Sequence, residues 1–171
     1  IREAQESRGL GDGYRRLGIC GSEVGMVYEH AHHYPLLLGH EFSGIIESVG
    51  QDCDGLQPGM VVTAYPVIGC GHCAMCRAGD YTKCFDYDFI GSRSDGAFAE
   101  YVNVPARNVI PLGDIPLEQG ALVEPAAVAV HAVRRVDSGA LKNAAVIGAG
   151  PIGLLVAQAC RAMGAEDVIV I

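Results

Sequence analysis

The stretch AAVIGAGPIG, residues 144–153, decides the reading of the fold. An apolar run, Ala144 to Ile147, feeds Gly148-Ala149-Gly150-Pro151-Ile152-Gly153, a G-x-G-x-x-G turn. Downstream, Ile152, Leu155, Val156 and Ala159 recur at helical spacing, with Pro151 near the start and Gly164 as a stop. The spacing predicts a helix over 151–163. Residues 168–171, all β-branched, read as a following strand. Strand, Gly-rich turn, helix and strand make a βαβ unit, the context that turns a weak motif into a dinucleotide-binding fingerprint. In such a unit the first glycine makes the turn, the second lets the backbone approach a pyrophosphate, and the third lets helix and strand pack. The pyrophosphate rests on the helix N-terminus, where unpaired N–H groups favour anions. Gly148, Gly150, Pro151, Ile152 and Gly153 are therefore the candidate cofactor-binding residues. The acidic residue that separates NAD from NADP is expected beyond the second strand.

Working back along the chain, Cys70, Cys73, Cys76 and Cys84 form Cys-x-x-Cys-x-x-Cys-x7-Cys. Two-residue spacers let neighbouring thiolates wrap one tetrahedral ion, and four thiolates make a closed structural zinc site. Residues 69–84 contain little apolar material, so such a lobe needs the metal to hold its shape. An iron–sulfur cluster is the rival, but the ferredoxin run places its fourth cysteine after three residues and before Pro. Here it follows seven and precedes Phe85. The cysteines number seven, and an odd count with no secretory signal argues against a disulfide framework.

Three further islands carry metal-ligand chemistry: Gly18-Ile19-Cys20-Gly21-Ser22, Leu38-Gly39-His40-Glu41-Phe42 and Glu124-Pro125. They supply thiolate, imidazole and carboxylate, the donor mixture of a catalytic zinc that keeps one position open. Singly, each has a plainer reading: a small core cysteine, a hydrogen-bonded histidine, a glutamate near a helix start. Their joint occurrence beside a zinc lobe and a nucleotide motif favours the site.

Composition bounds the rest. Half of the 171 residues are hydrophobic and 19% charged, enough for a sizeable core and against global disorder. The net charge of −8 argues against a nucleic-acid partner. No apolar run approaches the roughly 18 residues of a membrane span, and no signal peptide opens the chain, so a cytoplasmic protein is expected. The abrupt apolar end at Ile171 suggests a piece of a longer protein. Short β-like runs at 42–49, 60–64 and 98–104 fit a small β-barrel, with the zinc lobe as an excursion. Residues 116–122 and 125–136 read as helices, each opened by Pro. Residues 1–17 look polar and irregular.

Together these residues resemble the zinc-dependent medium-chain alcohol and polyol dehydrogenases, from Gly18 to Ile171. The resemblance implies an α/β chain: a GroES-like β-barrel catalytic domain over 18–124, then over 125–171 a linking helix and the start of a truncated Rossmann domain. It implies two zinc ions per chain, one catalytic and one structural, and NAD or NADP, with NAD favoured. Cys20 and His40 would bind catalytic zinc. Glu41 and Glu124 would be one direct or water-bridged ligand and one support, in either order. Ser22 would relay the substrate hydroxyl proton. The stretches His33-Tyr34-Pro35 to Gly44, and Tyr87 to Arg93 with Asp95-Gly96 and Phe98 to Tyr101, are most like members acting on a polyol phosphate. Phe89 and Arg93 are then the expected substrate contacts, Arg93 for the phosphate. The activity implied is hydride transfer from a secondary alcohol of a small polyol or polyol phosphate. The implied full-length state is a homodimer or homotetramer. Sorbitol-, butanediol- and threonine-type dehydrogenases share the zinc motifs. A non-enzymatic zinc-binding module is the reading from another class. Two departures stand out: the family usually has Asp where this chain has Glu23, and many members have His where it has Gly25.

Overall fold

The computed structural model describes residues 5–8 (backbone only), 15–29, 35–51, 53–136 and 141–171. His33 and Tyr34 lie outside the described residues. The chain forms two compact units, Ile1–Leu122 and Val123–Ile171. Among the described residues no helix is long and apolar enough to cross a membrane.

The first unit runs β1 (Gln5–Arg8), β2 (Arg15–Leu17), α1 (Gly21–Tyr28), β3 (Phe42–Ile45), β4 (Val61–Ala64), β5 (Val67–Ile68), α2 (Ala74–Arg77), β6 (Asp88–Phe89), β7 (Tyr101–Val104), β8 (Val109–Pro111) and α3 (Leu117–Gly120). An antiparallel sheet of order β2-β3-β4-β8 pairs Leu17 with Phe42, Ser43 with Thr63 and Thr63 with Ile110. Two antiparallel pairs, β1 with β7 and β5 with β6, complete the strands. Phe42, Ala64, Ile90, Ala97 and Val104 form the core, with Ile68, Val102 and Val109 packed against it.

Strand β3 is buried on both faces, so it lacks a clean alternation. Phe42 enters the core, while Ser43 on the opposite face donates its hydroxyl to the Leu117 carbonyl of α3 at 2.6 Å. Gly120 lets α3 lie that close, because a Cβ there would press on Ser43 and Leu112.

Three expectations are corrected. Residues 1–17 are not wholly irregular: β1 and β2 both join sheets. Strand β2 sits at a sheet edge, where charged side chains are tolerated, and Arg16 pairs there with Glu118 at 2.9 Å. The strand expected over 42–49 ends at Ile45, although Ile46 still bonds Met60 and Gly59 across the gap. The strand expected from 98 starts at Tyr101, because the amides of Ala97 and Phe98 instead bond the carbonyls of Gly39 and Leu38, both at 2.9 Å.

The second unit contains α4 (Val123–Arg134), β9 (Asn143–Val146), α5 (Pro151–Ala162) and β10 (Asp167–Val170). Strands β9 and β10 pair in parallel, Asn143 beside Asp167 through Val146 beside Val170, joined by α5. Val133, Ala159, Cys160 and Ala165 form this unit's core. Helix α4 begins two residues earlier than expected. Pro125 is its third residue, still within the first turn, where its missing N–H costs no helical bond. Helix α5 closes with Ala165 N–H on Cys160 O at 2.9 Å and Gly164 N–H on Arg161 O at 3.1 Å, a Schellman pattern.

Gly153 is required by contact. A Cβ on it would run into the Gly148 carbonyl, whereas one on Gly150 meets nothing within 4 Å. Gly153→Ala should therefore force helix from turn and cost about 1–3 kcal/mol. Gly150→Ala should cost less than about 1 kcal/mol. Equal thermal midpoints for the two variants would show that the turn does not depend on this approach.

Candidate metal centres

Cys20 is the N-cap of α1, a helix with no counterpart in the expected elements. The next turn places Glu23 beneath it. Glu23 is only 2% exposed, and its Oε2 accepts the Cys20 N–H at 3.1 Å, the reciprocal arm of a capping box. Its Oε1 accepts the Gly39 N–H at 2.7 Å and lies 3.0 Å from His40 Nδ1.

The segment carrying His40 is clamped from the other side. Gly39 has φ +103°, a left-handed conformation, and a Cβ there would strike Phe98. Its carbonyl accepts from Ala97, and the Leu37 carbonyl accepts from Gly96 at 2.7 Å. His40 is 6% exposed, with its ring edge-on to Phe89 at 5.5 Å between centroids. Glu41 follows. Its carbonyl accepts the Gly18 N–H at 2.7 Å, and its carboxylate fills the space a Cβ on Gly18 would need.

The result is a convergence. One ligand atom each from Cys20, His40 and Glu41 lies within 4.8 Å of the others. Thiolate, imidazole and carboxylate at that separation suit a tetrahedral zinc, which binds such donors at about 2.0–2.3 Å. Three protein donors leave a fourth position open, the arrangement of a catalytic rather than a structural site. Ser22 Oγ donates to Cys20 Sγ at 3.0 Å from an exposed position. Glu124 belongs to the second unit, in the first turn of α4, and is half-buried there.

The four-cysteine lobe is compact. Cys70, Cys73, Cys76 and Cys84 carry free thiols, all within 4.8 Å of one another. The sulfurs of Cys70 and Cys76 are 4.0 Å apart and those of Cys73 and Cys84 3.9 Å. Four thiolates at about 2.3 Å from one zinc stand about 3.8 Å apart. A disulfide would need sulfurs near 2 Å. A four-iron cluster, with each thiolate on its own iron, would spread them further. Backbone N–H groups of Cys70, Cys73 and Cys76 point at the sulfurs of Cys84, Cys70 and Cys73, at 3.3–3.4 Å. The Cys76 N–H is the main cause that brings the Cys73 thiol down to about 6. The Cys70 N–H likewise lowers Cys84, while burial pushes Cys76 up to about 12. Such N–H groups favour a sulfur that carries negative charge, the form that binds zinc.

In the second unit, Gly148, Gly150, Pro151, Ile152 and Gly153 run from the end of β9 into the first turn of α5, with Gly150 as N-cap and Pro151 as first residue. Phe89 lies beside His40, as stated. Arg93 is exposed, its guanidinium 4.0 Å above the Tyr87 ring and donating to the Tyr87 carbonyl at 3.2 Å.

In the sequence, Glu23 stands out only as a departure from the family's Asp. Its signal was the spacing Cys20-x-x-Glu23, an acid three residues after a helix cap.

The profile described as Alcohol dehydrogenase GroES-like domain matches residues 14–114, more than half of the chain. The chain therefore belongs to that family. It is 47% identical over 153 residues to galactitol 1-phosphate 5-dehydrogenase of Escherichia coli (strain K12), covering 88% of this chain and 44% of that protein. The crystal structure of galactitol-1-phosphate dehydrogenase from Escherichia coli superposes with TM-score 0.82 and 37% identity, over 99% of this chain and 55% of that one. A Sinorhizobium meliloti 1021 protein, assigned as a zinc-binding dehydrogenase and bound to NADP, matches with TM-score 0.81 and 32% identity, over 99% and 56%. The chain thus spans about half the length of these relatives.

Cys76→Ser should remove one zinc equivalent from the purified protein and lower its thermal midpoint, and a chelator should do the same to the unsubstituted protein. Equal zinc content in the variant and the parent would reject the lobe as a metal site.

Proposed function

We propose that the full-length protein is a zinc-dependent NAD(P) oxidoreductase that takes hydride from a secondary alcohol of a polyol or polyol phosphate, with galactitol 1-phosphate as the favoured substrate. The observation that carries this reading is the meeting of Cys20, His40 and Glu41 in a chain of the alcohol dehydrogenase family. The 47% identity to the Escherichia coli galactitol 1-phosphate enzyme supports the finer substrate choice. When bound, zinc supplies Lewis acidity that lowers the pKa of the substrate hydroxyl, and the nicotinamide supplies the hydride acceptor.

This chain's residues divide the remaining work. Cys20, His40 and Glu41 hold the metal. Ser22, exposed beside Cys20, takes the hydroxyl proton and hands it outward. Phe89 walls the site beside the imidazole, excluding water from one flank. Arg93 answers a substrate phosphate. Its stacking on Tyr87 restrains an otherwise flexible side chain and keeps its planar donors pre-organised. Gly148, Gly150, Pro151, Ile152 and Gly153 receive the dinucleotide pyrophosphate on the α5 N-terminus. The four-cysteine lobe holds a second, structural zinc.

The test is oxidation of galactitol 1-phosphate, sorbitol and 2,3-butanediol by the full-length protein with NAD and with NADP. Ser22→Ala should lower kcat about 10²- to 10⁴-fold. Turnover that survives complete zinc removal would reject the reading.

Arg93→Ala should raise KM for the phosphorylated substrate several-fold more than for its unphosphorylated analogue. An equal effect on both would take Arg93 out of the phosphate role while leaving the dehydrogenase reading standing.

A further inference from the structure

Arg107 and Asn108 end the single helical turn Ala106–Asn108 between β7 and β8, and no role assigned so far uses either. Their side chains converge on the segment that leads from the barrel into the four-cysteine lobe. Asn108 is buried, 5% exposed, and its amide nitrogen donates to the Tyr65 carbonyl at 2.7 Å and the Val67 carbonyl at 2.8 Å. The Arg107 guanidinium donates to the Gly69 carbonyl at 3.0 Å, across 38 positions of sequence. Tyr65, Val67 and Gly69 are alternate residues, and the carbonyls of alternate residues in an extended segment face one edge. The opposite edge is taken by β6, with Val67 beside Phe89, and by Ile90 N–H on the Pro66 carbonyl at 3.0 Å. Among the described residues β5 pairs with no other strand, and these two side chains stand where one would pair.

The placement of Gly69 bears directly on the lobe. Gly69 precedes Cys70, and a Cβ on it would stand 2.8 Å from Cys76 Sγ. Any order the lobe lacks before a metal arrives must be supplied when the metal binds, at a cost in affinity. Four thiolates also carry more negative charge than one divalent ion neutralises. A guanidinium bonded to the residue before the first of them offsets that excess, with planar donors of fixed direction.

We infer that Arg107, seated by Asn108, is the positioning residue of the four-cysteine metal centre. The spacing of the cysteines brings the sulfurs together. Arg107 holds Gly69, the point from which the run departs, so less of the chain is left for the metal to order. The inference rests on the reading of these cysteines as a zinc site. Groups outside the ligand set that orient it are worth about 10- to 100-fold in metal affinity. Because Arg107 binds the residue beside a ligand and not the ligand sulfur, the lower end of that range applies.

The experiment is a competitive zinc titration of the full-length protein. Arg107 is exposed, so the barrel core is left intact by its replacement. Five proteins are compared: unsubstituted, Arg107→Met, Arg107→Gln, Arg107→Lys and Cys76→Ser. The equivalent that Cys76→Ser removes is that of the lobe, and the remaining equivalent serves as the check on folding. Arg107→Met should bind the lobe equivalent about 10-fold more weakly than the unsubstituted protein and leave the other unchanged. Arg107→Gln, shorter and uncharged, should also be weaker. Arg107→Lys, which keeps a cation and a donor, should recover part of the loss.

A residue that merely stabilises the barrel would lower the thermal midpoint and leave lobe affinity unchanged. Unchanged lobe affinity in Arg107→Met therefore overturns the inference, as does an Arg107→Lys as weak as Arg107→Met. If Arg107→Met loses both equivalents, its fold has failed. Arg107→Gln then decides, and lobe affinity equal to that of the unsubstituted protein overturns the inference. If Cys76→Ser removes no zinc, the lobe is not a metal site and the role of Arg107 falls with that reading.

Discussion

The segment at Gly39 is the constraint on which the first unit turns. Its N–H is held by a buried carboxylate and its carbonyl by Ala97, and Phe98 occupies the place of its missing side chain. With φ at +103°, no residue with a side chain takes this conformation without strain. The neighbouring backbone is equally close, since Gly91 and Gly96 lie so near Gly39 that neither could carry a Cβ. Three glycines, a phenylalanine and a glutamate thus hold the next two residues, His40 and Glu41, in fixed places. The sheet beneath adds Phe42 to the core directly after them. His40 and Glu41, two of the candidate metal donors, are therefore placed by backbone packing.

The four-cysteine lobe is organised on another principle. Its helix α2 has only four residues, and among the four cysteines only Cys76 and Cys84 are buried. It has no apolar core of its own to set against the entropy of ordering the chain. What orders it is a set of backbone N–H groups converging on four sulfurs, an arrangement that favours negative charge at its centre and so a cation among them. The two centres differ accordingly. One is assembled by distant segments packed around a glycine, the other by a local run whose spacing alone brings the ligands together.

The features legible in the sequence were those written in short-range spacing. The cysteine run, the glycine fingerprint of 148–153 and the helix expected over 151–163 each depend on residues within one or two turns of each other. Cys20, His40, Glu41 and Glu124 could be named as candidate donors because each sits in a short island, but nothing local says that the islands meet. Helix α1 was missed because its apolar residues, Val24, Met26 and Val27, follow no core-facing stripe. Its only clear signal was the cap at Cys20 and the acid at Glu23. Strands β1 and β2 were hidden by their charge, since an edge strand is recognised by the ladder it joins and not by its own alternation.

By itself the sequence determined the chemistry on offer: four thiols spaced for one ion, three mixed donors, and a glycine turn between a strand and a helix. These follow from bond lengths and helical periodicity, which act over a few residues. Only the tertiary structure decided that Glu23 lies under His40, that Phe89 walls its ring, and that Arg93 is stacked on Tyr87. Those meetings join residues far apart in the chain or in different strands and loops. They are set by which segments share a core, a property of the packed fold that no local run of residues encodes.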